Sequence, residues 1–184
     1  IGGPSVKPYQ PAGYWRHLNF PEREWANDQG KNAYRRGLYT WWQRTFLHPS
    51  MLAFDAPARE ECTGERTRAN TPQQALALLN DPTYVEAARA FAVRIVTEGG
   101  PDDRARIAWA WSCALARQPT AAEQAVIIQL LTKHRRVSEN AANVTEFFEV
   151  GYFRAPSTIA SAELSGWISV ARTILNLHET ITRN

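Results

Sequence analysis

The densest set of side chains able to do chemistry lies between Phe54 and Asn80. It holds Asp55, Arg59, Glu61, Arg66, Arg68, Asn70, Gln73, Gln74 and Asn80. Asp55 and Glu61 could divide the acid and base roles of glycosyl transfer, if folding sets the two carboxylates at a suitable separation. Arg59, Arg66 and Arg68 could grip a sulfated or carboxylated ligand, because the guanidinium fork matches both groups. The same residues suit a purely architectural role. A long ordered loop must satisfy its main-chain groups, and Arg–carboxylate and Asn–backbone bonds do this. The architectural role is the commoner one. It predicts that Asp55 pairs with an arginine from 59–68 and that this network orders the loop.

Aromatic residues form a second signal. The chain has seven Trp, of which Trp41 and Trp42 are adjacent. Exposed indole faces could stack on sugar rings or form a partner-binding patch. Against this, Trp is highly buried on average, and neighbouring Trp residues on a helix point to different sides. No Gly-x-Ser-x-Gly elbow, phosphate-binding Gly-rich loop, His-Glu-x-x-His or dinucleotide fingerprint is present. His17, His48, His134 and His178 are scattered along the chain. Cys62 and Cys113 have no further Cys or His at a ligand spacing, which argues against a zinc or covalent haem site within this chain. Two separate buried thiols are the simpler expectation for them, although a disulfide stays open in an oxidising compartment.

These residues must be positioned by 184 residues, enough for one domain with a real core. Hydrophobic residues make up 44% and charged residues 21%, ordinary globular values. No apolar run is long enough to span a bilayer. The net charge of +3 is too small to argue for nucleic acid. Nearly all the basic residues are Arg, with lysine only at Lys7, Lys31 and Lys133. The chain opens on Ile1-Gly2-Gly3-Pro4, with neither an initiator Met nor a signal-peptide pattern, and so is expected to begin inside a longer chain.

Residues 1–30 are rich in Pro and aromatics and lack a helical period. They read as an extended arm anchored by its aromatic side chains. Tyr34, Leu38, Trp41, Trp42 and Phe46 recur at helical spacing and predict a helix over 31–46, ended by His48-Pro49. Residues 49–70 read as an ordered polar loop with one short helical turn. From Thr71 onward the pattern is helical. Asn70 or Thr71 caps a helix with Pro72 in its first turn, and Asp81-Pro82 starts the next, which Gly99-Gly100 ends. Asp102-Asp103 opens a third, and Thr120-Ala-Ala-Glu123 is a capping box for a fourth. A shorter helix is expected over 139–148. A last one is expected over 162–177, with Leu164, Trp167, Ala171 and Ile174 facing the core and Ser169 and Arg172 nearer solvent. The architecture is all-α: an irregular multi-helix array preceded by an extended aromatic- and Pro-rich arm. Residues 1–184 form one domain or the C-terminal part of one, divided into the arm (1–30), helix plus loop (31–70) and helical array (71–184).

Several stretches carry a recognisable pattern. They are Gly2-Gly3-Pro4-Ser5-Val6-Lys7-Pro8-Tyr9-Gln10-Pro11, Tyr34-Arg35-Arg36-Gly37-Leu38-Tyr39-Thr40, Phe54-Asp55-Ala56-Pro57, Asn70-Thr71-Pro72-Gln73-Gln74-Ala75-Leu76, Leu79-Asn80-Asp81-Pro82, and Leu175-Asn176-Leu177 with Ile181-Thr182-Arg183. Together the chain resembles the latter part of the planctomycete-type secreted domain of unknown function. That domain closes large exported proteins that often carry a cytochrome c-like domain. The resemblance implies a secreted or periplasmic protein, with any haem in an upstream domain and no cofactor in this chain. It also implies an association with polysaccharide-degrading systems. It carries over no catalytic residue, and His178 stands where the pattern leads one to expect an acidic residue.

The sequence therefore leads first to a non-catalytic helical module that completes a secreted multidomain protein, linked to extracellular polysaccharide handling. An enzyme domain acting on sulfated or acidic polysaccharide, with Asp55, Glu61 and the nearby arginines, is the second reading. A glycan-binding module using Trp41, Trp42 and the arm aromatics is the third. The apolar arm predicts a protein partner, either an upstream segment of the same protein or another subunit.

Overall fold

A computed structural model describes residues 2–16, 24–43, 46–58, 60–65, 69–140 and 146–182, with the side chains of 139, 140, 146 and 147 outside the description. The chain divides into two compact units, Ile1–Ala69 and Asn70–Asn184. The fold is all-α, and the described residues pair in β fashion only at the isolated bridges Val6–Thr40 and Gln43–Phe46.

In the first unit the described residues of the arm up to Gln29 form no helix, as its Pro and Gly content predicts, and they turn at 12–16. The helix expected over 31–46 does not form among the described residues of that span. Two 3-10 turns, Gly30–Tyr34 and Gly37–Tyr39, stand in its place, and Tyr34 and Leu38 are exposed. The reason lies in the main chain. The Val6 N–H donates to the Tyr39 carbonyl (2.8 Å) and the Trp41 N–H to the Val6 carbonyl (2.7 Å). Those groups belong to the arm and are lost to a helical ladder. Arg35 is also extended between the two turns. His48-Pro49, expected to end a helix, begins one. Helix α1 (Pro49–Ala53) has Pro at its start, and the His48 ring accepts from the Ser50 N–H.

The second unit follows its sequence signals closely. Helix α2 (Pro72–Asn80) opens on a complete capping box between Thr71 and Gln74. Helix α3 (Pro82–Glu98) is capped by Asp81, and α4 (Asp103–Leu115) by Asp102. Helix α5 (Ala121–Asn140) starts at the reciprocal bonds between Thr120 and Glu123. The helix expected over 139–148 is divided differently. α5 runs through Asn140, a single turn α6 occupies Glu146–Glu149, and 141–145 lie outside the described residues. Helix α7 (Ser161–Leu175) ends two residues before the expected limit, and α8 (His178–Thr182) follows.

Helix α7 packs against α3 and α5. Trp167, Ala171 and Ile174 are fully buried and Leu164 nearly so, while Ser169 and Arg172 are half-buried. They join Ala92, Ile95, Ile107, Trp111 and Leu131 in one core. A methyl group at Gly166 would lie 2.9 Å from Leu131 Cδ1, so glycine there sets the close approach of α7 to α5.

Candidate functional site

The polar loop and the aromatic set fall in the first unit. Asp55 is half-buried, adopts a left-handed backbone (φ 54°), and accepts from the Ala69 N–H at 3.2 Å. Its carboxylate thus fastens the end of the loop. Glu61 is exposed. Arg59, Arg66 and Arg68 lie outside the described residues, and with them the expected Asp55–arginine pairing. Trp42 is half-buried.

Trp41 belongs to a packed cluster. Trp15, which is buried, forms its base; its ring centroid lies 5.1 Å from that of Trp25 and 5.3 Å from that of Trp41. The Trp25 and Trp41 centroids are 6.1 Å apart, and both rings are half-buried. Phe46 and His48 complete the cluster, against Trp15 and Trp25 respectively. Such tilted and edge-on pairs are the favoured aromatic geometries. The rings are held by the arm's main chain. Trp25 Nε1 donates to the Pro8 carbonyl (2.9 Å), and His48 Nε2 lies 2.8 Å from the Tyr9 carbonyl. With Nδ1 accepting from Ser50, this arrangement fits a neutral His48 with its proton on Nε2. Lys7 reaches over the cluster. Its Nζ is 5.4 Å from the Trp41 ring centre and 5.8 Å from that of Trp25, within cation–π range.

At the start of the arm, Gly2 and Gly3 both have positive φ (85° and 95°). The Arg35 guanidinium stacks on Tyr39 at 3.8 Å and donates to the Pro4 and Gly2 carbonyls. A side chain at Gly3 would meet that guanidinium at 3.3 Å.

Most of the buried and half-buried charge of the second unit joins loop to helix or helix to helix. Glu86 and Arg89, one turn apart on α3, are both buried. The Glu86 carboxylate accepts from the N–H groups of Tyr152 (3.0 Å) and Phe153. Arg89 donates to the carbonyls of Val150 and Phe153, each at 2.6 Å. Gly151 between them has φ 76°, and a methyl group there would run into the Glu86 carboxylate. Arg135 on α5 joins Asp103 on α4 (2.6 and 2.9 Å) to Glu163 on α7 (2.6 and 2.7 Å). Arg106 and the Trp167 indole N–H also donate to Glu163, at 3.1 and 2.8 Å. Hydrogen bonding by Arg135 holds the Asp103 carboxyl below its ordinary pKa. Burial pushes Glu163 up, but the bonds from Arg135 and Trp167 outweigh it and the net shift is downward.

A cleft of about 500 Å³ opens between the end of α4 and α8, lined by Cys113, Ala114, Leu115, Ala116, His178, Glu179 and Thr182. His178 Nδ1 lies 2.9 Å from Asn70 Nδ2. The Glu179 carboxylate is bound by Arg117 (2.8 Å), which also pairs with Glu123 (2.7 Å). Cys62 and Cys113 are both free and exposed, not buried as expected. Each sits outside the apolar clusters that would have covered it. Among the described residues no group of three His, Cys, Asp or Glu side chains gathers as a metal site.

The model of the PSD1 family, described as a protein of unknown function (DUF1553), matches residues 1–131. The chain belongs to the PSD1 family. The match in this PSD1 chain covers the whole first unit and ends within α5, so the Glu163 and Gly151 contacts fall beyond it. No protein of curated function and no solved structure matches the chain.

Sequence reasoning missed Lys7, whose placement between two rings depends on contacts across 18 and 34 positions. It also missed Glu86 and Arg89. A Glu and an Arg three residues apart on an otherwise apolar helix face were the available signal, since such groups are rarely buried without assigned partners.

Proposed function

We propose that this PSD1 chain is a non-catalytic helical module that completes an exported multidomain protein and serves extracellular polysaccharide handling. One observation carries the reading: the buried charges of the helical unit are engaged in architecture. Glu86 and Arg89 tie four main-chain groups of the 150–153 loop, and Arg135 ties three helices. A catalytic acid or base needs a carboxyl open to substrate. Asp55 is instead bonded to the Ala69 main chain. The exposed Leu38, Leu52 and Tyr34 of the first unit suit a covering protein segment, either an upstream part of the same protein or another subunit.

The test is a turnover screen of the intact protein on neutral, sulfated and uronic-acid polysaccharides, run beside a binding array. The reading predicts no turnover. Product formation that falls in Asp55→Asn or Glu61→Gln would replace it with the enzyme reading.

A further inference from the structure

We infer that Lys7, Trp25 and Trp41 form a subsite for a negatively charged sugar residue. The inference rests on the reading of this chain as a non-catalytic module that serves polysaccharide handling. Trp15 is buried, and the half-buried indoles of Trp25 and Trp41 pack against it with their own centroids 6.1 Å apart. The Lys7 ammonium sits within 5.8 Å of both ring centres and makes no ion pair among the described residues. Ring faces balance a cation only in part, so the three N–H donors retain capacity for an anion.

The surroundings hold this arrangement in place before any ligand arrives. The Lys7 main-chain N–H donates to the Asp28 carboxylate at 2.7 Å, and the Asp28 N–H returns a bond to the Lys7 carbonyl at 2.8 Å. The Trp25 indole N–H is fixed on Pro8. Three residues along the arm, Gln10 is buried with neither end of its carboxamide partnered among the described residues. A sugar presents a C–H face that stacks on an indole and, when charged, an equatorial anion that an adjacent ammonium can meet. A neutral sugar would use the rings and leave the ammonium unmatched. A free cation would be repelled by Lys7. The chemistry therefore selects an acidic sugar, its charge an ester sulfate or a ring carboxylate.

Intrinsic tryptophan fluorescence of the full chain, titrated at low salt with sulfated, uronic-acid and neutral oligosaccharides of equal length, tests this. The expected result is saturable binding of a charged probe that salt weakens. Lys7→Met should lower that affinity about ten- to a hundredfold, the value of one charge-assisted hydrogen bond, and Lys7→Arg should keep most of it. The tighter of the two charged probes assigns the anion as sulfate or carboxylate. No saturable change with any probe, equal binding of the neutral one, or affinity indifferent to Lys7→Met would overturn the subsite. The salt dependence of the wild type decides the matter even if a variant folds poorly. Turnover of a bound probe would count against the non-catalytic reading and not against the subsite.

Discussion

The two units of this chain reach order by opposite routes. Among its described residues the first has short 3-10 turns, one five-residue helix and two isolated bridges. Aromatic rings, isolated main-chain bonds and single bonds between side chain and main chain hold it. The second is an array of capped helices around an apolar core, tied by Arg135, Glu86 and Arg89. The difference teaches where each kind of information lies. A helix repeats its message every turn, so a few substitutions blur it without erasing it. An extended arm fixed by Lys7, Trp25, Arg35 and His48 states each contact once.

The comparison can be broken by removing one buried indole from each unit. Trp167→Ala should cost about 3–5 kcal/mol, because the fully buried ring leaves a cavity and strands its bond to Glu163. Its loss should appear in far-UV circular dichroism melts. Trp15→Ala should cost a similar amount in the first unit, yet show mainly in near-UV dichroism, where the coupled indoles absorb. If Trp15→Ala instead lowers the midpoint of the helical transition as much as Trp167→Ala does, the two routes are not separate.

A smaller effect sharpens the account of the helical unit. Arg135→Met should cost about 1 kcal/mol in urea melts, below the roughly 1.5–3 kcal/mol of a charge-assisted hydrogen bond because the side chains are partly solvated. A cost near zero would mean that the tie between α4, α5 and α7 is incidental.

Acid provides the mildest perturbation. The Arg117 bond, aided by the Thr120 N–H, pulls the Glu123 carboxyl from an ordinary 4.5 down to about 2. A group depressed on folding stabilises the protein above its unfolded pKa. That contribution is lost as pH falls from about 4.5 toward about 2. The wild type should therefore lose stability across that window more steeply than Glu123→Gln. Parallel curves for the two would remove the carboxylate from the account.

Legibility from sequence follows the same division. The Thr71, Asp81, Asp102 and Thr120 caps could be read directly, because each pairs a polar side chain with a helix start within three residues. The stripe of Leu164, Trp167, Ala171 and Ile174 was legible for the same local reason. Over 31–46 the spacing of Tyr34, Leu38 and Trp41 imitated a helix. The bond between Val6 and residues 39 and 41 decided otherwise, and no local pattern encodes a partner more than thirty positions away. The site residues divide likewise. Trp41 was visible by type, whereas Lys7 was one lysine in a proline-rich arm. Glu86 and Arg89 acquire their roles only when the 150–153 loop arrives, more than sixty residues later.

The claim that buried charge in the helical unit serves architecture is tested most directly by amide hydrogen exchange at Tyr152 and Phe153. Both N–H groups end on the Glu86 carboxylate, outside any helix. The account predicts slow exchange at both amides in the wild type. In Glu86→Ala both should exchange much faster while Ile95, inside α3, keeps its protection. Fast exchange at Tyr152 and Phe153 in the wild type, or rates unchanged by the substitution, would contradict it.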